Sequence, residues 1–393
     1  MTRYCSCLNC ITPPHLLRKL LENKDRDIRQ AALNTLLATQ QLRGMRMALG
    51  SFAATSGGNG RRTVFDCHNS TNLQAATVAR TEDGSASTDD SINRAFDGLG
   101  ATRDFYRDVL NRNSIDDLGM RLDGYAHRGS HYNNAFWDGR EMVFGDGDGI
   151  LFTDFTSSLD VIGHELAHGV TEFTAGLEYH NQPGALNESS SDVFGSLVKQ
   201  WTNKQAALEA DWLIGAEIFT PAFRGDALRS MKAPGTAYNN EDLGKDPQPD
   251  HMSRYVHLPD TDEGDNGGVH VNSGIPNKAF YLTSIAIGGY AWEAPGHIWY
   301  ESLKASSPNT QFLDFANTTH AKAGILYGTG SAEQQAVLSA WREVGIQIAG
   351  VPPGKGGSGK PEDSLQALAQ KLETLSAQVK VLTKDVSALK GRR

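Results

Sequence analysis

Short apolar runs broken by Gly, Asn and Asp fill the first half of the chain, and apolar residues at helical spacing fill most of the second. Near the start, Pro13-Pro14 precedes Leu16, Leu17, Leu20 and Leu21, which repeat as one face of a helix. Ile28, Ala31, Ala32, Thr35 and Leu36 mark a second helix in the same Arg- and Lys-rich zone, which ends about Leu49. Gly50 to Arg62 (GSFAATSGGNGRR) is small and Gly-rich, the composition of an exposed segment open to proteolytic nicking. From Arg62 to Leu159, strand-like pieces at Arg62–Asp66 and Met142–Phe144 alternate with turn residues. One helix is predicted between Thr88 and Asn111, on the recurrence of Ile92, Phe96, Leu99, Phe105, Tyr106 and Val109. Asp160 to Ile348 reads mostly as helix. Gly145-Asp146-Gly147-Asp148-Gly149 lacks the spacing of a calcium loop and reads as a tight turn.

The end of the chain differs in kind. Val351–Asp363 (VPPGKGGSGKPED) has a linker composition. Beyond it, Leu365, Leu368, Leu372, Leu375, Val379, Leu382, Val386 and Leu389 alternate three and four apart, an a/d seam. A stripe two positions wide in seven is too narrow for a helix buried in a globular core. Self-association through residues 364–390 is therefore expected, with docking on its own domain as the alternative. The expected divisions are 1–55, 56–159, 160–349, a linker at 350–363 and a coiled-coil helix at 364–390.

Length and charge narrow the function. With 393 residues there is material for two or three domains, and the net charge of −9 with a pI near 5.7 argues against a nucleic-acid surface. The longest apolar run, Tyr281–Trp292, is too short to span a bilayer. The N-terminus shows no secretory apolar stretch with a small-residue cleavage site, so secretion by another route is expected, with a cytoplasmic location as the alternative. Cys5, Cys7, Cys10 and Cys67 form no disulfide framework.

The chemistry centres on His164-Glu165-Leu166-Ala167-His168. On a helix, positions i and i+4 share a face, so His164 and His168 can hold one metal ion, with Glu165 placed to act as base on a metal-bound water. Alone, the pentapeptide also fits a surface helix with two hydrogen-bonded histidines. A catalytic zinc needs a third protein ligand and an open position. Gly184-Ala185-Leu186-Asn187-Glu188-Ser189-Ser190-Ser191-Asp192 offers both a ligand and its support. Glu188, at the start of a helical segment, can ligate, and Asp192 can accept the second ring N–H of a ligand histidine. Amide hydrolysis further needs stabilisation of an oxyanion and a proton for the leaving nitrogen. Tyr179 and His270 are candidates. His270 lies in the Gly-rich stretch Asp265–Gly274, where Asp265 can orient it.

These segments, with Tyr132–Gly139 and Gly225–Met231, resemble the thermolysin family of neutral metallopeptidases, in its protealysin-like branch with a short propeptide. The resemblance implies an α+β, two-lobe peptidase with a β-rich N-terminal lobe, a helical C-terminal lobe and one zinc ion in the cleft. It assigns His164, His168 and Glu188 as zinc ligands and Glu165 as the water-activating base. Tyr179 and His270 become transition-state donors, Asp265 the partner of His270, and Asp192 the support of a zinc ligand. Asn134, Ala135 and Arg229 match the groups that hold the substrate backbone. Phe152, Phe155, Val161, Ile214, Ile218 and Leu228 correspond to the pocket after the scissile bond, which implies cleavage of peptides and proteins before bulky hydrophobic residues.

The chain also departs from the family. At the double calcium site Lys199 replaces a bridging glutamate, and Leu213 and Ala216 stand in acidic positions beside Asp160 and Asp211. No calcium is expected there. Residues 1–55 resemble the inhibitory propeptide, through Pro13-Pro14-His15-Leu16. Cys10 sits just before that motif, and its thiolate can fill the open zinc position as a zymogen switch. The alternatives are a separate metal site formed by Cys5, Cys7 and Cys10, or no role for them. Rival readings are a neprilysin-like zinc peptidase, opposed by Asn134–Trp137 and Asp265–Gly274, and a binding protein on an inactive peptidase fold, opposed by the presence of Glu165, Tyr179 and His270.

Overall fold

In the protein's computed structural model, residues 9–49 and 60–348 are described; Cys5, Cys7, the boundary near residue 55 and the segments 350–363 and 364–390 lie outside them. The N-terminal zone was expected to be purely helical. It opens instead on a two-residue strand, β1 (Asn9–Cys10), followed by the predicted helices α1 (Pro14–Leu20) and α2 (Arg26–Leu49). Pro14 starts α1 where a missing N–H costs nothing. Leu16, Leu17 and Leu20 are buried, as the leucine spacing requires, and each contributes about 1.5–3 kcal/mol of apolar burial.

The next lobe holds β2 (Arg62–Asp66), β3 (Thr77–Thr81), helix α3 (Asp90–Leu110), β4 (Leu122–Ala126), β5 (Ala135–Trp137) and β6 (Glu141–Phe144). With β1 they form one mixed sheet in the order β1-β5-β6-β4-β2-β3. β2, β4 and β6 run parallel, while β3, β5 and β1 are antiparallel to their neighbours. Asp89 caps α3 by accepting from the N–H groups of Ser91 and Ile92. In the turn after β6, Asp148 accepts the N–H groups of Ile150, Leu151 and Phe152 at 2.8–3.0 Å. The carboxylate is spent on the backbone, in agreement with a turn.

The C-terminal lobe is helical: α4 (Leu159–Glu172), α5 (Asn181–Asn203), α6 (Asp265–Asn272), α7 (Gly274–Ile287), α8 (Ala294–Lys304), α9 (Phe312–Tyr327) and α10 (Ala332–Glu343). Between α5 and α6 lie two hairpins, β7 (Leu213–Ile214) with β8 (Arg229–Ser230) and β9 (Asn239–Asn240) with β10 (Gly244–Lys245). Every residue from Asp160 to Thr171 is buried, so α4 is a central helix with its polar groups inside. Among the described residues, no helix is long and apolar enough to cross a membrane.

Candidate active site

Helices α4 and α5 touch backbone to backbone. A Cβ on Gly163 would lie 3.0 Å from the Cα of Gly195, and one on Gly195 only 2.4 Å from the Asp160 carbonyl. This approach brings a histidine pair on α4 against carboxylates on α5. Glu188 stands two turns inside α5, not at a helix start as its spacing suggested, because α5 already begins at Asn181.

The ligand-capable atoms of His164, His168 and Glu188 all lie within 4.8 Å of one another and are fully buried. Asp192 Oδ1 takes His164 Nδ1 at 2.8 Å, and Asn187 Oδ1 takes His168 Nδ1 at 2.8 Å. Each contact fixes the tautomer that leaves Nε2 with a lone pair, and the two Nε2 atoms face each other at 3.0 Å. Glu188 Oε2 has no hydrogen-bond partner. Burial, and then His164, hold His168 well below the usual histidine range, hence neutral. Two imidazole nitrogens and an unpaired carboxylate oxygen fit a zinc ion. Asn187 was missed as a support: beside Glu188 it reads as a helix cap, and only α5's early start turns it inward.

Glu165 faces the same space. Its Oε2 accepts the Trp137 N–H at 3.0 Å. Burial first, then Glu188, push its pKa well above the ordinary value, against the N–H groups of Trp137 and Ile11. A divalent cation beside Glu188 would draw it back down. Tyr179 hydrogen-bonds to Glu188 and lies 3.2 Å from His270 Nε2. His270 sits on α6 behind four successive left-handed residues, Asp265 (φ 55°), Asn266 (48°), Gly267 (82°) and Gly268 (82°). At Gly267 a Cβ would meet Asn181 Oδ1 at 2.2 Å, so glycine is required there. The kink turns Asp265 back onto its own helix: Oδ1 takes His270 Nδ1 at 2.5 Å and Oδ2 the His270 N–H at 2.9 Å. Burial lowers the His270 pKa, but Glu188 and Asp265 outweigh it and raise it.

Arg229, on β8, joins this network through Asp192, with Nε at 2.9 Å and Nη2 at 2.8 Å. Asn277 Nδ2 donates to Asp192 Oδ2 at 2.8 Å, a contact with no signal in the sequence. Burial opposes ionisation of Asp192, but Arg229 and His164 hold it well below the carboxylate range. Phe152, Phe155, Val161, Ile214, Ile218 and Leu228 are all buried, and β7 with β8 sets Ile214 against Arg229.

The N-terminal segment lies across these groups. β1 pairs antiparallel with β5, with Cys10 opposite Phe136. The Ile11 N–H donates to Ala135 O at 3.3 Å, and Asn134 Oδ1 accepts the Thr12 N–H at 3.0 Å. Arg229 Nη1 reaches the Ile11 carbonyl at 3.2 Å, and His270 Nε2 the Cys10 carbonyl at 3.1 Å. The Cys10 thiol does not join the three metal-capable side chains; Cys10 packs with Tyr132, Phe136 and Val143. A side chain on a strand points to one face of the sheet while the carbonyl lies in its plane, so it is the Cys10 backbone that engages the polar groups. His15 is also buried here with neither ring nitrogen paired, and burial pulls its pKa down to about 4 despite nearby Asp265.

Farther along α4 and α5, Lys199 Nζ lies 3.0 Å from Asp160, 3.2 Å from Asp211 and 3.2 Å from Glu217. Ser158 Oγ lies 2.6 Å from Asp160 Oδ1 and 2.7 Å from Glu217 Oε2, and its one O–H can donate to either. Glu217 was not anticipated, since it lies in a loop beyond β7.

A buried His-His-Glu set on crossed helices, with a carboxylate base and a Tyr–His pair above it, is the arrangement of a zinc peptidase. The chain belongs to the thermolysin family of metallopeptidases, in its protealysin-like branch: residues 34–172 match the thermolysin metallopeptidase catalytic domain, and residues 175–346 its alpha-helical domain. It is a metalloendopeptidase of a zinc-dependent family. Protease PrtS of Photorhabdus sp. (strain Az29) is 45% identical over 351 residues, spanning 86% of this chain and 92% of that one. An extracellular metalloprotease of Pectobacterium carotovorum subsp. carotovorum is 44% identical over 341 residues, 86% of this chain and 96% of that one. The solved precursor of protealysin, a metalloproteinase from Serratia proteamaculans, superposes with a TM-score of 0.78 at 46% identity, covering 86% of this chain and 99% of that chain.

Proposed function

We infer that this metalloendopeptidase cleaves peptides before bulky hydrophobic residues through a water activated at the His164–His168–Glu188 site, and is made as a precursor inhibited by its own N-terminal zone. The observation that carries the reading is the buried convergence of His164 Nε2, His168 Nε2 and Glu188, whose Oε2 has no hydrogen-bond partner. When bound, zinc supplies a Lewis acid that polarises the substrate carbonyl and acidifies water. Glu165, primed by burial, accepts the water's proton and delivers it to the leaving nitrogen. Tyr179 and His270 donate to the developing oxyanion, with Asp265 holding the imidazole in place. Arg229 and Asn134 hold the backbone beyond the scissile bond, beside Ala135 on the edge strand, and the six apolar side chains take the residue that follows it.

Latency is supported by β1, which occupies the strand edge a substrate would use. Lys199, an ammonium among three carboxylates, supports the absence of calcium at that place. The a/d seam supports a homo-oligomer through residues 364–390; an unchanged sedimentation coefficient per mass after deletion of 350–393 would exclude it. Likeness to an extracellular relative supports secretion. The test of the mechanism is Glu165→Gln assayed on peptides that differ after the scissile bond. Zinc content stays at one per chain, kcat falls by about 10²–10⁴-fold, and wild type prefers Leu, Ile or Phe there. Cleavage retained in the variant would refute the mechanism, and a wild type that prefers charged residues there would refute the pocket.

A further inference from the structure

We propose that the Cys10–Ile11 peptide bond is itself a substrate of this active site, hydrolysed within the same chain to leave an Ile11 N-terminus that stays bound. The inference rests on the peptidase reading above. Four polar contacts set the register of the N-terminal segment. His270 Nε2 meets the Cys10 carbonyl at 3.1 Å. The Ile11 N–H, on Ala135 O at 3.3 Å, is also one of two amides that stabilise the Glu165 carboxylate. Arg229 Nη1 meets the Ile11 carbonyl at 3.2 Å, and Asn134 Oδ1 the Thr12 N–H at 3.0 Å.

Three of the groups so placed match the mechanism. The carbonyl facing His270 is the one whose oxygen becomes the oxyanion. The nitrogen facing Glu165 is the one that leaves, and the next carbonyl is the one Arg229 holds. A shift of one residue would break all four at once, because carbonyls and N–H groups alternate along an extended chain. Ile11 is fully buried and is the bulky aliphatic type that the pocket accepts. A segment that blocked the cleft in reverse, or with a side chain on the metal, would make none of these contacts.

In the step, water adds across the amide. Its hydroxyl joins the Cys10 carbonyl carbon, and its proton passes by Glu165 to the Ile11 nitrogen as the C–N bond breaks. The new carboxylic acid then passes its remaining proton to the freed amine, so the products are a Cys10 carboxylate and an Ile11 ammonium, beside Glu165. Residues 11–49 remain tied to the peptidase: Arg18 Nη1 donates to Glu263 O at 2.6 Å, Asn23 Nδ2 to Asp242 at 2.7 Å, and Thr35 Oγ1 accepts the Asn133 N–H at 3.0 Å. The first cut therefore removes the segment that carries Cys5, Cys7 and Cys10 while residues 11–49 stay on the peptidase.

The test uses zinc-loaded full-length chain at several protein concentrations, followed by intact mass and N-terminal identity, with a hydrophobic peptide assayed in parallel. The expected first product begins at Ile11, with a half-time independent of concentration, and does not form in Glu165→Gln. Ile11→Asp slows it at least about tenfold, while Ile11→Leu preserves the rate; if Ile11→Asp misfolds, the wild-type series decides alone. An Ile11 terminus that forms faster at higher concentration overturns the proposal. So does an intact Cys10–Ile11 bond in a preparation that cuts elsewhere and hydrolyses the peptide, a result that leaves the peptidase reading standing. No cleavage of chain or peptide defeats both.

Discussion

Helices α4 and α5 take part in two polar clusters, one wholly buried and one completed by the half-exposed Asp211 and Glu217 from loops beyond α5, and the two are resolved in opposite ways. At one, His164, His168 and Glu188 converge, fully buried, with Glu188 Oε2 left without a donor. At the other, Asp160 and its neighbouring carboxylates close on the Lys199 ammonium at 3.0–3.2 Å. Burying charge is tolerated only when it is compensated, so both clusters need a cation. The second carries its cation covalently on α5. The first leaves the place to an ion that can also do chemistry. A lysine fills its site with three donors and no exchangeable position, while a metal bound by three protein ligands keeps one position for water.

The largest expected break of this contrast is Glu188→Ala. It removes the anionic ligand, and peptide hydrolysis falls to background together with zinc content, read by metal analysis and initial rates. Lys199→Met is next. It leaves Asp160 buried without a cation and lowers unfolding stability by about 3 kcal/mol in urea titration, with zinc content unchanged. In the same titration, millimolar calcium leaves the wild-type midpoint where it was; a calcium-dependent rise would remove the idea that Lys199 takes the ion's place.

The smallest effect sharpens the contrast at a third cluster, outside the helix pair. His127 Nδ1 lies 2.9 Å from Asp146 and its Nε2 3.1 Å from Asp89. The hydrogen bond to Asp146, partly opposed by burial, raises its pKa to about 9. The folded value exceeds the unfolded one, so the stabilisation is complete below about pH 6.5 and is lost as pH rises through 9. His127→Gln costs roughly 1 kcal/mol at pH 6, since Asp89 and Asp146 are partly exposed, and nothing at pH 10. A variant whose deficit persists at pH 10 would assign the loss to packing.

What could be read from the chain follows how local each feature is. The histidine pair was legible because i and i+4 share a helix face whatever surrounds them, and Arg62–Asp66 because its apolar run coincides with a strand. Lys199 opposite Asp160 was legible from the charge change at one position. Glu217 and Asn277 were not, since each reaches its partner from an element whose placement depends on the whole lobe. Cys10 shows the limit most clearly. Spacing before Pro13-Pro14 could not place it at the site, a two-residue strand leaves no periodicity, and sequence does not say whether thiol or carbonyl faces the metal-binding groups.

The contact of Gly163 with Gly195 has a consequence for how the site tolerates change. The separation of the ligand atoms on α4 and α5 is set by main chain resting on main chain, not by the volume of intervening side chains. The pair acts as a mechanical stop. Residues elsewhere in the interface can drift in size without moving the ligands, which uncouples the gauge of the metal site from the repacking of the core. One methyl group at either glycine would reset that gauge.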